Sequence, residues 1–474
     1  MNLRHKYDSL LGACHASPIL YGIPAGFCIV GMSNLLLPGA SMLTTSLGWT
    51  LIYIVVTLPC VLRAWCSRAA AWTLWGASVV MTVGVVINCH YFVHVWGCGD
   101  VSRPLLMNLD HWSAWNNALY HLGSDHAVES LWPAEGYGRF IGLLMKASAI
   151  DISIPLLFNC FCVLCTIALT GALTSRFIRD AARQRKAALC AIVLMSLMGD
   201  LIASGTILLK DAPMAMATAL VAWSAIRLRY GGNLLRPLAA IAAAVFITCY
   251  ARPNYLSVFI VLIPGVCAHD KRNITIAAAI SVCCAVILLY FHSLEAATPA
   301  QAHFAPELGT DLDDSAHQPQ HAAYYDNFSF YFKAPVWKRL LLLPITLGVQ
   351  FLIPLPWNFA NNLAFGPFIA LAYFGFCRYF TGLLVAFFLF KKLRKRSFTP
   401  ALRLCLVGLA FYAGVAFIFG GTVSRYGIPL LCLFVPCASL LWTCRNDYPR
   451  LRTWLVAGGS GIAAVLFVFY FLSV

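Results

Sequence analysis

Apolar residues run along most of the chain in stretches of roughly 16–25 positions, each closed by a short cluster of charged, glycine or proline residues. A helix needs about 20 apolar residues to cross the hydrocarbon core of a bilayer. The pattern therefore predicts spanning helices over approximately 18–38, 46–62, 71–92, 152–174, 187–209, 212–227, 236–251, 253–268, 274–292, 366–390, 401–421, 426–444 and 453–472, about thirteen in all. One further apolar stretch, 339–357, breaks the alternation, because counting it as a span moves the Lys391–Arg396 cluster to the opposite side. Its three prolines, Pro344, Pro354 and Pro356, predict a broken or re-entrant segment. Proline removes a backbone donor and crowds the preceding turn, a defect tolerated at membrane depth where protein covers the backbone. Between the spans, Trp112, Trp115, Leu119 and Leu122 recur at helical spacing and predict an amphipathic helix over 110–122, lying at a membrane surface.

Composition sharpens this into a class. Of 474 residues, 61% are hydrophobic and 11% charged, with a mean hydropathy of +0.78. A soluble chain carries about 25% charged residues, so the polar surface that would cover a soluble globule is missing. The expectation is an all-α polytopic membrane protein, either a carrier or a membrane-embedded enzyme. Neither a repeat of fixed period nor mirrored hydropathy between the two halves is visible, which weighs against a carrier built from inverted repeats.

Charge then supplies the topology. The net charge of +15 comes from 33 Lys and Arg against 18 Asp and Glu. No basic stretch has the aromatic interleaving or polar fold of a nucleic-acid binder, so nucleic acid is excluded as a partner. The clusters Arg63/Arg68, Arg176 to Lys186, Arg227 to Arg236, Lys271/Arg272, Lys391 to Arg396 and Arg445 to Arg452 fall on one side, the cytoplasmic one by the positive-inside rule. The opposite side receives two long loops, about 93–150 and 293–340, with Asp100, Asp110, Asp125, Glu129, Glu135, Glu295, Glu307, Asp311, Asp313, Asp314 and Asp326. Most of the 19 cysteines sit inside apolar runs and read as small buried hydrophobes, with no metal-site spacing. The polar start, with Arg4, His5 and Lys6, and the long first apolar run argue against a cleavable signal peptide.

Chemistry concentrates at the outer ends of the spans, where a charge near lipid is costly and marks a functional candidate. Asp110 opens the amphipathic helix, and Gly136-Tyr137 opens a second. Lys210-Asp211 forms a short outer turn, as do Arg252-Pro253-Asn254-Tyr255 and Ser424-Arg425-Tyr426. A carboxylate at a helix start can be a plain N-cap, and a lysine there can be a snorkelling anchor. Arginine, however, presents a planar fork of donors suited to phosphate, and three cationic turns on one face favour an anion site. Asp200 and Arg378 are the charges that lie deep within apolar runs. His90, His94, His111, His121 and His126 gather around the first outer loop, and His303, His317 and His321 lie in the second, but a third zinc ligand for the His90/His94 pair is missing.

In this order the features resemble the GT-C membrane glycosyltransferases, closest in style to the protein O-mannosyltransferases and the aminoarabinose transferases of bacterial lipid A. The resemblance spans residues 71–445, and the order and common side of the motifs carry its specificity, since each motif alone is short. It implies transfer of a sugar from a polyprenyl-phosphate-linked donor to a glycan, lipid or protein acceptor of the cell envelope. It also implies a multi-pass protein of the bacterial inner membrane whose active site faces the periplasm. Asp110 matches the catalytic base, while Lys210, Arg252 and Arg425 match the cations that meet the lipid phosphate. Asp211, Asn254, Tyr426, Tyr137 and His111 are the accompanying substrate-binding residues. Many members carry a second acidic residue beside the first-loop aspartate; here the neighbour is His111, and a divalent metal stays open as a cofactor. Residues 1–70 hold two helices ahead of this core, and residues 446–474 one after it. A lipid-phosphate leaving group is already good, so one base and a few cations suffice. The rival readings are an O-antigen polymerase or ligase and a flippase for lipid-linked oligosaccharides.

Overall fold

The computed structural model describes residues 68–95, 109–123, 135–146, 153–230, 234–267, 271–297, 334–352, 377–419 and 424–473. The expected spans over 18–38 and 46–62, most of the loop 293–340, and the stretch after Leu352 that carries Pro354 and Pro356 lie outside them. Helices follow one another as α1 Arg68–Val95, α2 Leu109–His121, α3 Glu135–Lys146, α4 Ser153–Ser175, α5 Ala181–Ser196, α6 Gly199–Gly205, α7 Asp211–Tyr230 and α8 Leu235–Ala251. After a 3₁₀ turn at Pro253–Tyr255 come α9 Leu256–Cys267, α10 Lys271–Ala297, α11 Val336–Leu352, α12 Cys377–Arg394 and α13 Pro400–Phe419. A 3₁₀ segment, Ser424–Leu430, then leads into α14 Leu431–Thr443 and α15 Leu451–Ser473. The described residues contain no strand. Among the described residues, five helices are long and apolar enough to cross a membrane: Pro155–Ser175, Lys271–Phe291, Pro400–Ile418, Tyr426–Thr443 and Leu451–Val468, or six if the bent pair α5–α6 forms one span.

Helix α7 is the axis of the bundle. It packs against α4, α8, α9, α14 and the 3₁₀ segment, and nearly all of its length is buried, from Asp211 to Leu228. Alanines at 212, 215, 217, 219, 222 and 225 make this close approach feasible, because small residues let helix backbones come together without a side-chain barrier. In α4, Thr166, Thr170 and Thr174 fold their hydroxyls back onto the carbonyls of Cys162, Thr166 and Thr170, which satisfies them inside an apolar interface. The described cysteines are buried or half-buried apart from Cys283, which was expected to be buried and is exposed on α10. Cys160, Cys267 and Cys437 are buried and outside any disulfide, each placing its thiol against a backbone carbonyl, of Gly205, Ala225 and Ala401 respectively. Around the outside, α10 exposes Val282, Val286 and Leu289, and α15 exposes Val456, Val465 and Phe467.

One expected span is broken. The apolar run 187–209 reads as one continuous helix, but α5 and α6 meet at 67° across Leu197–Met198, and the chain is non-helical from Thr206 to Lys210. Met198 adopts an extended conformation and its side chain caps nothing. Residues 206–209 are nonetheless buried, and unpaired carbonyls in such a place cost several kcal/mol each unless protein supplies donors. Four side chains from three helices supply them. Cys160 Sγ reaches Gly205 O, Asn88 Nδ2 donates to Thr206 O, and Asn159 Nδ2 donates to Ile207 O at 2.7 Å and Leu209 O at 3.0 Å. Tyr137 donates to Leu209 O from α3. The stretch 339–357, expected to be broken or re-entrant, is not broken at Pro344: helix α11 runs through it as far as Leu352, and the remainder lies outside the described residues.

The two ends of the bundle differ in charge. Arg176, Arg227 and Arg236 lie close enough at one end to act on one another, and there Arg229 donates to Val266 O. The other end gathers the starts of α4 and α7, the end of α8 and the 3₁₀ segment.

Candidate functional site

At that second end, three turns that are distant in sequence meet. Asp211 is the first residue of α7 and is completely buried. Arg252 leaves α8 in an extended conformation, its N–H donating to Thr248 O and its following residue a proline, which keeps the turn out of the helical region. The Arg252 guanidinium lies 3.3 Å from Asp211 Oδ1 through Nη1. It also stacks over the Tyr426 ring with its Cζ 4.2 Å from the centroid. Tyr255, three residues on, donates its hydroxyl to the Tyr426 carbonyl at 2.6 Å, tying the 3₁₀ segment to this turn. Lys210 is half-buried beside Asp211 and accepts the N–H of Met214 on its carbonyl, so it caps α7 through the backbone. Asn254 is exposed in the 3₁₀ turn, where its carbonyl accepts the Ser257 hydroxyl.

The amphipathic pair α2–α3 docks on the same end. The helix expected over 110–122 is found at Leu109–His121, with Trp115 and Leu119 buried. A side chain at Gly138 would meet Asn117 Cβ and the Ala114 carbonyl, and one at Gly142 the Ala118 carbonyl and His121 Cβ. The two sets of contacts rise together, so α2 and α3 lie parallel and their N-termini share one end. That end is pinned: Gly136 lies so near α8 that a Cβ there would come within 2.6 Å of the Tyr250 carbonyl. Tyr137, buried, holds its hydroxyl 3.3 Å from Asn159 Oδ1 and 3.2 Å from the carbonyl of Leu209, the residue before Lys210. Burial pushes the Tyr137 phenol far above its ordinary range, so it stays protonated and donates. Tyr137→Phe removes this donor beneath the site and should lower unfolding stability by about 1–2 kcal/mol, read as a lower thermal midpoint in detergent. An unchanged midpoint would mean that the α2–α3 pair is held by packing alone.

A second ion pair stands nearby. Asp200, in the first turn of α6, receives Arg378 Nη1 at 2.8 Å, and Arg378 Nη2 and the Tyr379 hydroxyl both donate to Leu352 O at the end of α11. Each charged side chain is 14% exposed. Tyr412 stands between this pair and the 3₁₀ segment: its ring blocks a Cβ at Gly427, and its phenol feels the charges of Arg378 and Asp200. The sequence marks both residues as deep charges, yet they lie 178 positions apart and nothing in the pattern pairs them. Tyr379, Tyr412 and Asn159 have no sequence signal beyond a polar group inside an apolar run.

The structure thus brings together Lys210, Asp211, Arg252, Asn254 and Tyr426, with Tyr137 joined to them through Leu209. Asp110 and His111 are placed as the second and third residues of α2 and Arg425 as the second residue of the 3₁₀ segment, but their side chains lie outside the described residues, as do those of His90 and His94. Among the described residues, no group of three His, Cys, Asp or Glu side chains could hold a metal ion. Comparison with protein-family models, with curated proteins and with solved structures finds no match.

Proposed function

We propose that the protein is a membrane glycosyltransferase of GT-C type, moving a sugar from a polyprenyl-phosphate-linked donor to a cell-envelope acceptor on the periplasmic face of the bacterial inner membrane. The observation that carries this reading is the meeting of Lys210-Asp211, Arg252 and Tyr426 at the end of the bundle opposite the Arg176, Arg227 and Arg236 cluster. The α2–α3 pair bearing Asp110 packs onto that same end. In the reaction the acceptor hydroxyl or amine gives its proton to Asp110 and forms the new bond to the anomeric carbon. The bond from that carbon to the phosphate oxygen breaks, and the lipid phosphate departs with its electron pair. Lys210, Arg252 and Arg425 stabilise the departing phosphate, and the aromatic turn Tyr255–Tyr426 supports Arg252. The registered α2–α3 packing supports the role of Asp110, since it sets the first turn of α2 beside the Gly136–Tyr137 end that abuts the Leu209 and Tyr250 carbonyls.

The flippase reading has one observation in its favour, the Asp200–Arg378 pair within the bundle. That pair is closed on itself and on Leu352 O, which leaves little charge to line a pathway. The two readings separate at the cationic turns. A guanidinium that grips phosphate does so with a planar fork that lysine lacks, whereas an interfacial anchor works equally well as lysine. Arg252→Lys and Arg425→Lys should each weaken polyprenyl-phosphate binding by roughly 1.5–3 kcal/mol, with transfer falling in proportion. Unchanged affinity in both variants would remove the phosphate site and bring transport to the front.

A further inference from the structure

We propose that Asp211 is a positioning residue, which fixes the plane of the Arg252 guanidinium toward the lipid phosphate and does not itself touch ligand. This deepens the preceding reading and rests on it. The two arginine–aspartate pairs of this half of the bundle differ in a way that points to the role. Arg378 engages both terminal nitrogens inside the protein, one on Asp200 at 2.8 Å and one on Leu352 O at 3.3 Å, so it is a closed structural pair. Arg252 gives Asp211 one nitrogen, Nη1, at 3.3 Å, longer than the 2.7–2.9 Å usual for a charge-assisted bond. The carboxylate behind it is completely buried, whereas the arginine side chain keeps 14% of its surface open. The exposed member is the cation, and the anion has no route to a ligand except through it.

The remaining contacts immobilise Arg252 on its other sides. Its backbone is set by the bond to Thr248 O and by Pro253. The Tyr426 ring lies under the guanidinium face, and the Tyr255 ring, from the same turn, lies 5.9 Å from Cζ. Tyr255 in turn fixes Tyr426 through its carbonyl. A side chain with this many rotatable bonds loses rotamer entropy on being fixed, and here part of that ordering is complete before any anion arrives. Asp211 Oδ2 meanwhile finds no donor among the described residues. A buried orphan oxygen is a liability to folding, so a carboxylate kept there is explained better by what it does to Arg252 than by stability.

The sign of one measurement decides. By Coulomb's law alone, removing a negative charge beside a phosphate-binding arginine strengthens phosphate binding. If Asp211 works by aligning Arg252, its removal weakens it. Binding of undecaprenyl monophosphate in detergent would be measured for the full-length wild type and for Asp211→Asn, Asp211→Glu, Arg252→Gln and the double variant Asp211→Asn/Arg252→Gln. Asp211→Asn should bind about tenfold or more weakly, and Asp211→Glu, which keeps the charge but moves the carboxylate by one methylene, should fail to restore affinity. In the Arg252→Gln background, Asp211→Asn should change affinity by less than about twofold, since the two residues act as one unit. Equal or tighter binding by Asp211→Asn overturns the proposal, as does an equal loss with and without Arg252, or full affinity in Asp211→Glu. Should Asp211→Asn not fold, Asp211→Glu and the double variant, which leaves no unpaired charge, still decide. Absence of binding by the wild type removes the phosphate site and this role together, whereas a failure confined to the Asp211 variants removes only the role.

Discussion

Replacing Asp110 by asparagine should lower sugar transfer by about 10²–10⁴-fold, the usual cost of losing a general base, while the protein folds as before. Asparagine keeps the size of the side chain and an oxygen able to cap the first turn of α2, so the helix start loses little. What is lost is the group that takes the acceptor's proton. Helix register sets the place of this group. Asp110 lies four residues, about one turn, before Ala114 on α2, and Ala114 packs against Gly138 of the parallel α3. Just before Gly138 on α3, one and two residues back, lies the Gly136–Tyr137 end that rests on the Tyr250 and Leu209 carbonyls, next to Arg252 and Lys210. Transfer would be measured with purified enzyme at equal folded concentration. Wild-type turnover in Asp110→Asn would reduce this residue to a first-turn carboxylate and leave the transfer reading without a base.

Breaking the Asp200–Arg378 pair should have the largest effect on stability. Alanine at either position leaves the partner charged and largely buried, with an expected loss of about 3–5 kcal/mol. For Arg378 the loss extends beyond its carboxylate partner, because its Nη2 also secures the last carbonyl of α11. The double variant Asp200→Leu/Arg378→Met removes both charges together and should recover most of the loss, since well-packed apolar groups commonly match or exceed a buried ion pair. Unfolding midpoints in one detergent measure all three. Single variants as stable as wild type would show that the pair contributes nothing net. A double variant that folds well but has lost activity would assign the pair a functional part that its closed geometry does not suggest.

Helix positions were legible in the sequence because an apolar run has few alternatives once its backbone leaves water. The stretches expected at 152–174, 236–251 and 453–472 are the helices Ser153–Ser175, Leu235–Ala251 and Leu451–Ser473, within one or two residues. The amphipathic helix after position 109 was equally legible, because its tryptophans and leucines repeat at the helical period. The turns carrying Lys210-Asp211, Arg252 and Tyr426 could be singled out as charges and aromatics at span ends.

Which of those groups touch was decided only by the tertiary structure. Asp211 and Arg252 are 41 positions apart, and Asp200 and Arg378 are 178 apart. No periodicity relates such separations, because which helix ends adjoin is set by packing around α7 and not by spacing along the chain. The break between α5 and α6 has the same origin. The run 187–209 is apolar apart from Asp200 and a few small polar residues and glycines, and by itself it favours one continuous helix, since each broken turn exposes carbonyls. The bend persists because Asn88, Tyr137, Asn159 and Cys160, from three other helices, supply the donors that the helix would otherwise provide for itself. A backbone can leave its own hydrogen bonds inside an apolar medium only when distant side chains replace them, and that replacement exists only in the folded bundle.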